Sequence, residues 1–109
     1  MLISVEEANI RLLENLAVLI DVRESKEWAA GHIQDAQHLA LSGFDSAGMD
    51  PDASYMVICR SGARSEKAMT RLHEAGFDAV NVEGGMLAWA AAGLPMRTDN
   101  GDAPLVVEP

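Results

Sequence analysis

Short apolar runs separated by helix-like segments are the feature that most constrains the fold of this chain. Two runs, at Leu16–Ile20 and Tyr55–Ile58, lack the alternation of a half-exposed strand, and a third strand is expected at Ala79–Val82. Such runs are typical of strands buried on both faces, as parallel strands usually are. Strands that alternate with helices favour a parallel sheet with right-handed crossovers. The sequence therefore predicts a three-layer α/β fold, with a mostly parallel central sheet and helices on both faces.

The stretches between these runs carry the signals of four helices. Ser4 followed by Glu7 is a capping-box pattern, so we expect a helix that begins at Ser4. The second helix is expected to turn Trp28 into the core and to end at Gly31 in left-handed backbone. A brief extended piece is expected at residues 37–39, and mostly loop after it. The four helices are predicted over residues 4–13, 25–30, 65–75 and 86–91.

Length and composition predict one acidic globular domain. With 109 residues the chain can build a single hydrophobic core but not two, and we expect residues 1–95 to form it. Residues 96–109 are polar and contain Gly and Pro, so this tail is expected to be loosely held. The formal net charge of -9 disfavours nucleic acid and anionic membranes as partners.

The chain carries no sequence signal for membrane insertion or secretion. No apolar run approaches the roughly 18 residues that a membrane-spanning helix needs. The start, Met1–Glu7, has no basic segment followed by an apolar one. A single cysteine cannot form an internal disulfide, which is typical of a reducing compartment. We therefore expect a cytoplasmic protein.

The single cysteine lies at the end of the second apolar run, where a loop leads into the third helix. Because ligand crevices of parallel sheets lie beyond the carboxyl ends of the strands, Asp21 and Cys59 are expected on the same rim. A glycine in the loop can turn backbone N–H groups toward the sulfur, and the helix N-terminus and two arginines add positive charge. These effects favour a thiolate or an anion bound to it. The loop reads Cys59-Arg60-Ser61-Gly62-Ala63-Arg64-Ser65.

Three groups of residues together resemble the single-domain rhodanese family of thiosulfate sulfurtransferase-like proteins. The Cys59–Ser65 stretch is similar to the family's active-site loop. Asp21–Glu24 with Glu27 and Gly31–Ile33 resemble its N-terminal signature, and Gly84–Met86, Trp89 and Gly93–Pro95 resemble its C-terminal one. The sequence departs from the family pattern at Gln34-Asp35, where Pro-Gly is usual, and at Ala40, where proline is common.

The resemblance implies a sulfurtransferase that works through a persulfide and needs no cofactor. Cys59 would accept a sulfane sulfur from a thiosulfate-like donor and pass it to cyanide, to a thiol, to thioredoxin or to another protein. Arg60 and Arg64 would bind the anionic donor, and the amides of Ser61, Gly62, Ala63, Arg64 and Ser65 would hold the sulfur. Asp21 and Arg23 would be structural residues at the strand end.

Two other functions stay open at this point. A non-catalytic rhodanese-like module could bind a protein partner or sense an anion or an oxidant. A Cdc25-type phosphatase is less favoured, because such enzymes use a Cys-x5-Arg loop and the spacing here is Cys-x4-Arg. The histidines show no metal-like spacing with Cys59, so no metal site is expected.

Overall fold

Five strands and four α-helices alternate along the chain in the computed structural model, which describes residues 1–109. The strands are β1 (Leu2–Ile3), β2 (Val18–Asp21), β3 (Gln37–His38), β4 (Ser54–Ile58) and β5 (Asp78–Val82). The helices are α1 (Val5–Leu13), α2 (Ser25–Ala30), α3 (Ala63–Glu74) and α4 (Gly85–Ala91), and a 3-10 turn spans Leu41–Gly43. None of the helices is both long and apolar enough to cross a bilayer.

The strands form one sheet in the order β1-β5-β4-β2-β3, and every pair in it is parallel. The register places Asp21 beside Ile58, and Val57 beside Asn81. The carboxyl ends of β2, β4 and β5 therefore meet at one edge of the sheet, as expected for crossovers through helices. The predicted parallel α/β fold is confirmed.

The core lies on both faces of the sheet. Leu19 and Met56 face one cluster of buried side chains, which includes residues of α1 and α4. Their neighbours Ile20 and Val57 face a second cluster, on the side of α3. Because successive residues of β2 and β4 are buried on opposite faces, an apolar side chain is favoured at each position. This explains why the runs show no alternation and confirms helices on both faces.

The main difference among the strands is β1, which the sequence analysis missed. It is only two residues long and lies at the sheet edge, where Leu2 pairs with Asn81. A two-residue edge strand has too few residues to show a period. β2 begins at Val18 rather than at Leu16. Leu16 is 61% exposed, and Asn15 before it has a positive φ of 56°.

Helix α2 has the predicted bounds but not the predicted orientation. Glu27, not Trp28, is its fully buried residue. Trp28 stays half-buried and stacks on His32, with the ring centroids 3.9 Å apart. Gly31 has extended backbone with φ of 166°, so its expected left-handed conformation is wrong. A Cβ at Gly31 would lie 2.8 Å from the backbone nitrogen and oxygen of Leu105, so the position needs glycine for space.

Leu105 belongs to the tail of residues 96–109, which packs along the end of α2. The Leu105 N–H donates to the Ala30 carbonyl at 2.9 Å. His32 and Arg97 exchange two backbone hydrogen bonds in an antiparallel bridge. Val106 packs against the first core cluster. The segment expected to be loosely held thus makes several specific contacts with the domain.

Candidate active site

Cys59 directly follows β4 and is held inside a tight loop that leads into α3. The Gly62 N–H donates to the Cys59 sulfur at a distance of 3.0 Å. Gly62 adopts left-handed backbone with φ of 118° and caps α3, which begins at Ala63. This conformation, which glycine adopts without strain, curls the chain around the sulfur. Cys59 is only 1% exposed.

The loop lowers the pKa of the Cys59 thiol through hydrogen bonds to its sulfur. Burial by itself raises this pKa, because it disfavours the charged form. The Ser65 hydroxyl and the backbone N–H groups of Ser65, Gly62 and Ser61 act in the opposite direction and outweigh burial. The net pKa lies below the ordinary thiol value, so the geometry favours the nucleophilic thiolate. The donors that lower this pKa are uncharged groups: the backbone N–H groups expected from the sequence and, in addition, the Ser65 hydroxyl, with neither arginine among them.

Arg64 differs from the expectation because its charge is paired with a buried carboxylate. Its two terminal nitrogens lie 2.7 and 2.8 Å from the two Glu27 carboxylate oxygens, a bidentate geometry. Burial raises the pKa of Glu27, but the Arg64 hydrogen bonds and charge bring it below its ordinary value. The same pair raises the pKa of Arg64. Arg64 therefore ties the loop to α2, and much of its charge is neutralised there.

Arg60 is the loop arginine that stays free of a carboxylate partner. Its side chain forms no ion pair, and its Nε is buried without a hydrogen-bond acceptor. An unpaired buried N–H is costly, and a bound anion would satisfy it. Arg60 is therefore better placed than Arg64 to contribute an unneutralised charge to an anionic ligand.

The Gly84-Gly85 turn supports the back of the cysteine loop. The Met86 N–H at the start of α4 donates to the Cys59 carbonyl at 2.8 Å, and the Leu87 N–H donates to the Arg60 carbonyl at 3.1 Å. A Cβ on Gly85 would lie 2.4 Å from the Cys59 carbonyl oxygen. The close approach of α4 therefore requires glycine. The sequence predicts a turn at this pair but does not indicate its contact with the loop.

Asp21 and Arg23 form a buried ion pair at the end of β2, and both side chains are fully buried. The Arg23 Nη2 lies 2.8 Å from the Asp21 carboxylate and also donates to the Gly31 carbonyl at 2.8 Å. A further Arg23 nitrogen donates to the Glu27 carbonyl at 3.3 Å. The pair joins β2 to the middle and the carboxyl end of α2 and so supports the helix that carries the partner of Arg64.

A polar residue of β5, Asn81, also contacts the loop and was missed by the sequence analysis. Its Nδ2 donates to the Gly62 carbonyl at 3.0 Å, and its Oδ1 accepts from the Ser65 hydroxyl at 2.6 Å. The same hydroxyl lies 3.3 Å from the Cys59 sulfur. The available signal is an amide side chain between two valines of a predicted strand, and Asn81 is 4% exposed in the structure.

The histidines are engaged elsewhere. His32, His38 and His73 each place a ring nitrogen 2.7 or 2.8 Å from a backbone carbonyl oxygen. No group of three or more His, Cys, Asp or Glu side chains is arranged to hold a metal ion. The chemistry that this geometry supports is nucleophilic attack by Cys59 and retention of an anion on its sulfur.

The chain is similar to known proteins over most of its length. The sequence profile of the Rhodanese-like domain matches residues 4–92. The Bacillus subtilis (strain 168) protein named "Putative sulfurtransferase YtwF" is 46% identical over 79 residues, covering 71% of this chain and 77% of that protein. A Mycobacterium tuberculosis protein named "Probable adenylyltransferase/sulfurtransferase MoeZ" is 42% identical over 77 residues, which cover 66% of this chain but only 20% of that protein.

The fold has solved counterparts as well. The crystal structure of a rhodanese-related protein from Thermoplasma volcanium superimposes with a TM-score of 0.78 at 28% sequence identity, covering 89% of this chain and 97% of that one. The sequence match spans more than four-fifths of the chain and includes the cysteine loop, the α2 segment and the Gly84-Gly85 turn. This chain belongs to the Rhodanese-like domain family.

Proposed function

We propose that this protein is a sulfurtransferase that carries a sulfane sulfur as a persulfide on Cys59. The observation that carries the proposal is the buried sulfur of Cys59, which hydroxyl and backbone N–H donors surround and whose pKa they lower. Membership of the rhodanese-like family and the names of its sulfurtransferase relatives support the same activity.

The proposed first step uses a thiosulfate-like donor. The Cys59 thiolate attacks the outer sulfur of the donor, a new sulfur–sulfur bond forms, and the donor's sulfur–sulfur bond breaks. Its electron pair leaves with sulfite, so Cys59 becomes a persulfide whose outer sulfur is anionic. The same hydroxyl and N–H donors that favour the thiolate are suited to this anion. The free charge of Arg60 supports binding of the donor, because its buried Nε lacks an acceptor.

The proposed second step returns the enzyme to its thiolate. A nucleophile such as cyanide or a thiol attacks the outer sulfur, takes it, and leaves the electron pair on Cys59. An open cavity of about 600 Å³ adjoins the loop at Arg64 and is bordered by Leu41 and Phe44. Cys59 itself is not part of its lining, so we propose that it holds the body of a thiol acceptor beside the loop. The acceptor could be a small molecule, thioredoxin or another protein. We place the reaction in the cytoplasm, where a thiol of low pKa is kept reduced.

Thiocyanate formation from thiosulfate and cyanide tests the proposal. We expect turnover by the wild-type protein and none above background with Cys59→Ser, which removes the only thiol. The control is Ser54→Ala, an exposed residue at the amino end of β4 and so at the opposite end of that strand from Cys59, which should keep full activity. Absence of turnover with thiosulfate and with persulfide donors alike would contradict the proposal and favour a non-catalytic binding or sensing module.

A further inference from the structure

The Ser65 hydroxyl has more acceptors than protons to give. Its oxygen lies 2.6 Å from Asn81 Oδ1, 3.1 Å from the Gly62 carbonyl and 3.3 Å from the Cys59 sulfur. A serine hydroxyl carries one proton and so donates to one of these at a time. Ser65 is fully buried, so water does not supply a substitute donor. Which acceptor receives this single proton therefore affects how strongly a negative charge on the sulfur is stabilised.

The orientation of the Asn81 side chain is determined by its second contact. Its Nδ2 donates to the Gly62 carbonyl at 3.0 Å. The reversed amide would place two oxygens against each other there, since a carbonyl cannot donate. The amide oxygen consequently faces Ser65, and at 2.6 Å it is the nearest acceptor of the Ser65 proton. Asn81 Oδ1 has no other hydrogen-bond donor in the structure.

We propose that Asn81 is a positioning residue that competes with the Cys59 sulfur for the Ser65 proton and thereby limits the thiolate. In the thiol state every group is satisfied, because the S–H can donate to Ser65 while Ser65 donates to Asn81. In the thiolate state Ser65 must turn its proton to the sulfur, which leaves the buried Asn81 oxygen without a donor. That cost disfavours the thiolate.

This competition matters for both halves of the proposed reaction, on which the inference builds. A thiolate is needed to attack the donor, and it is also the leaving group when the acceptor removes the sulfur. A thiolate of lower pKa leaves faster but attacks less strongly, so intermediate stabilisation suits a thiol that performs both steps. Because Asn81 Oδ1 competes for the Ser65 proton, the Ser65 hydroxyl stabilises the thiolate only in part.

The test is the pH dependence of Cys59 alkylation by iodoacetamide, which requires no sulfur transfer and so can fail independently of the proposed function. Asn81→Leu replaces the amide by an apolar side chain of similar volume and so removes the competing oxygen. The Ser65 hydroxyl can then donate only to the Gly62 carbonyl or to the sulfur. The charged sulfur is the stronger acceptor. We expect the midpoint of alkylation to fall by about 0.5 pH unit or more. In a Ser65→Ala background, the same substitution should produce no fall.

A merely structural role of Asn81 makes the opposite prediction. If the amide only holds the Gly62 carbonyl, its loss loosens the N–H groups around the sulfur and raises the midpoint, with or without Ser65. A raised or unchanged midpoint, or an equal fall in the Ser65→Ala background, would overturn the proposal. Asn9→Leu on α1 is the matched control and should leave the midpoint unchanged. If circular dichroism shows that Asn81→Leu is unfolded, the same comparison is made with Asn81→Ala.

Discussion

Individual residues around Cys59 divide into those that touch the sulfur and those that hold the loop. The donors to the sulfur are uncharged, and the hydroxyl of Ser65 leads them. Arg64, which by sequence is the second cation of the loop, is paired with Glu27 instead. A hydrogen bond aimed at a buried sulfur outweighs a charge that a neighbouring carboxylate has neutralised. The loop therefore stabilises an anion mainly by directing uncharged hydrogen-bond donors at the sulfur.

The Glu27–Arg64 pair should be a large contributor to stability. Glu27→Gln keeps an oxygen that can accept the Glu24 N–H but removes the charge that faces Arg64. Because Glu27 is fully buried and Arg64 only partly so, we expect the free energy of unfolding to fall by about 1–3 kcal/mol in urea denaturation. The matched control is Glu7→Gln in the exposed pair with Arg11, which should cost less than about 1 kcal/mol.

The pH dependence of this difference follows from the sign of the shift. The pKa of Glu27 is lowered in the folded protein, so its contribution is complete above the ordinary glutamate pKa of about 4.3. It is lost as the pH falls through the lower, folded value. The stability gap between the wild type and Glu27→Gln should therefore be constant near neutrality and shrink in acid. A gap that stays constant from about pH 7 to about pH 3 would refute this role for the pair.

The residues of the loop could be predicted from the sequence because they are contiguous, whereas their contacts with distant side chains could not. Cys59, Gly62 and Ser65 lie within seven positions of one another. Glu27 and Asn81 reach the loop only through the sheet, from positions 37 residues before Arg64 and 16 residues after Ser65. The sequence also favours Trp28 over Glu27 as the inward residue, because a carboxylate is stable inside a protein only when it is paired, and the pairing with Arg64 is not visible in the sequence.

Helices act on the site mainly through their N-termini. α3 begins one residue after Gly62 and supplies the Ser65 donors, while α4 donates its first N–H groups to the Cys59 and Arg60 carbonyls. Two helices thus hold opposite sides of the same loop. The approach of α4 depends on the lack of a side chain at Gly85.

Gly85→Ala and Gly93→Ala separate this close approach from simple backbone strain. Both positions have left-handed backbone, with φ of 57° and 70°, but only at Gly85 would a Cβ meet other atoms. We expect Gly93→Ala to cost about 1–2 kcal/mol in thermal or urea denaturation. Gly85→Ala should cost about 3 kcal/mol or more and also slow alkylation of Cys59, because the loop must move. Equal costs for the two variants would show that the contact with the Cys59 carbonyl is unimportant.

The elements were predictable where packing imposes a pattern. β2 and β4 are buried on two faces and follow continuous apolar runs, and the predicted helices lie within two residues of their observed ends. β1 could not be predicted, because its two residues are ordered by pairing with β5 rather than by their own sequence. The extended backbone of Gly31 was likewise invisible, since it depends on Leu105 in a distant part of the chain.

The whole molecule gathers distant segments at one edge of a parallel sheet. β4 delivers Cys59, β5 delivers Asn81, and α2 delivers Glu27 through the buried Asp21–Arg23 pair. The acidic net charge of -9 does not prevent an anionic site, because the loop surrounds the sulfur with hydrogen-bond donors. We propose that this arrangement allows Cys59 to carry an anionic sulfur.

Intact-protein mass spectrometry after incubation with thiosulfate tests that claim most directly. In the absence of reductant and acceptor, the account predicts one additional sulfur atom on the wild-type protein, released by cyanide or by a thiol. Cys59→Ser should gain none, and peptide mapping should place the added sulfur on Cys59 alone. A wild-type protein whose mass stays unchanged with thiosulfate and with other sulfane-sulfur donors, while its thiol remains reactive to alkylation, would contradict the account.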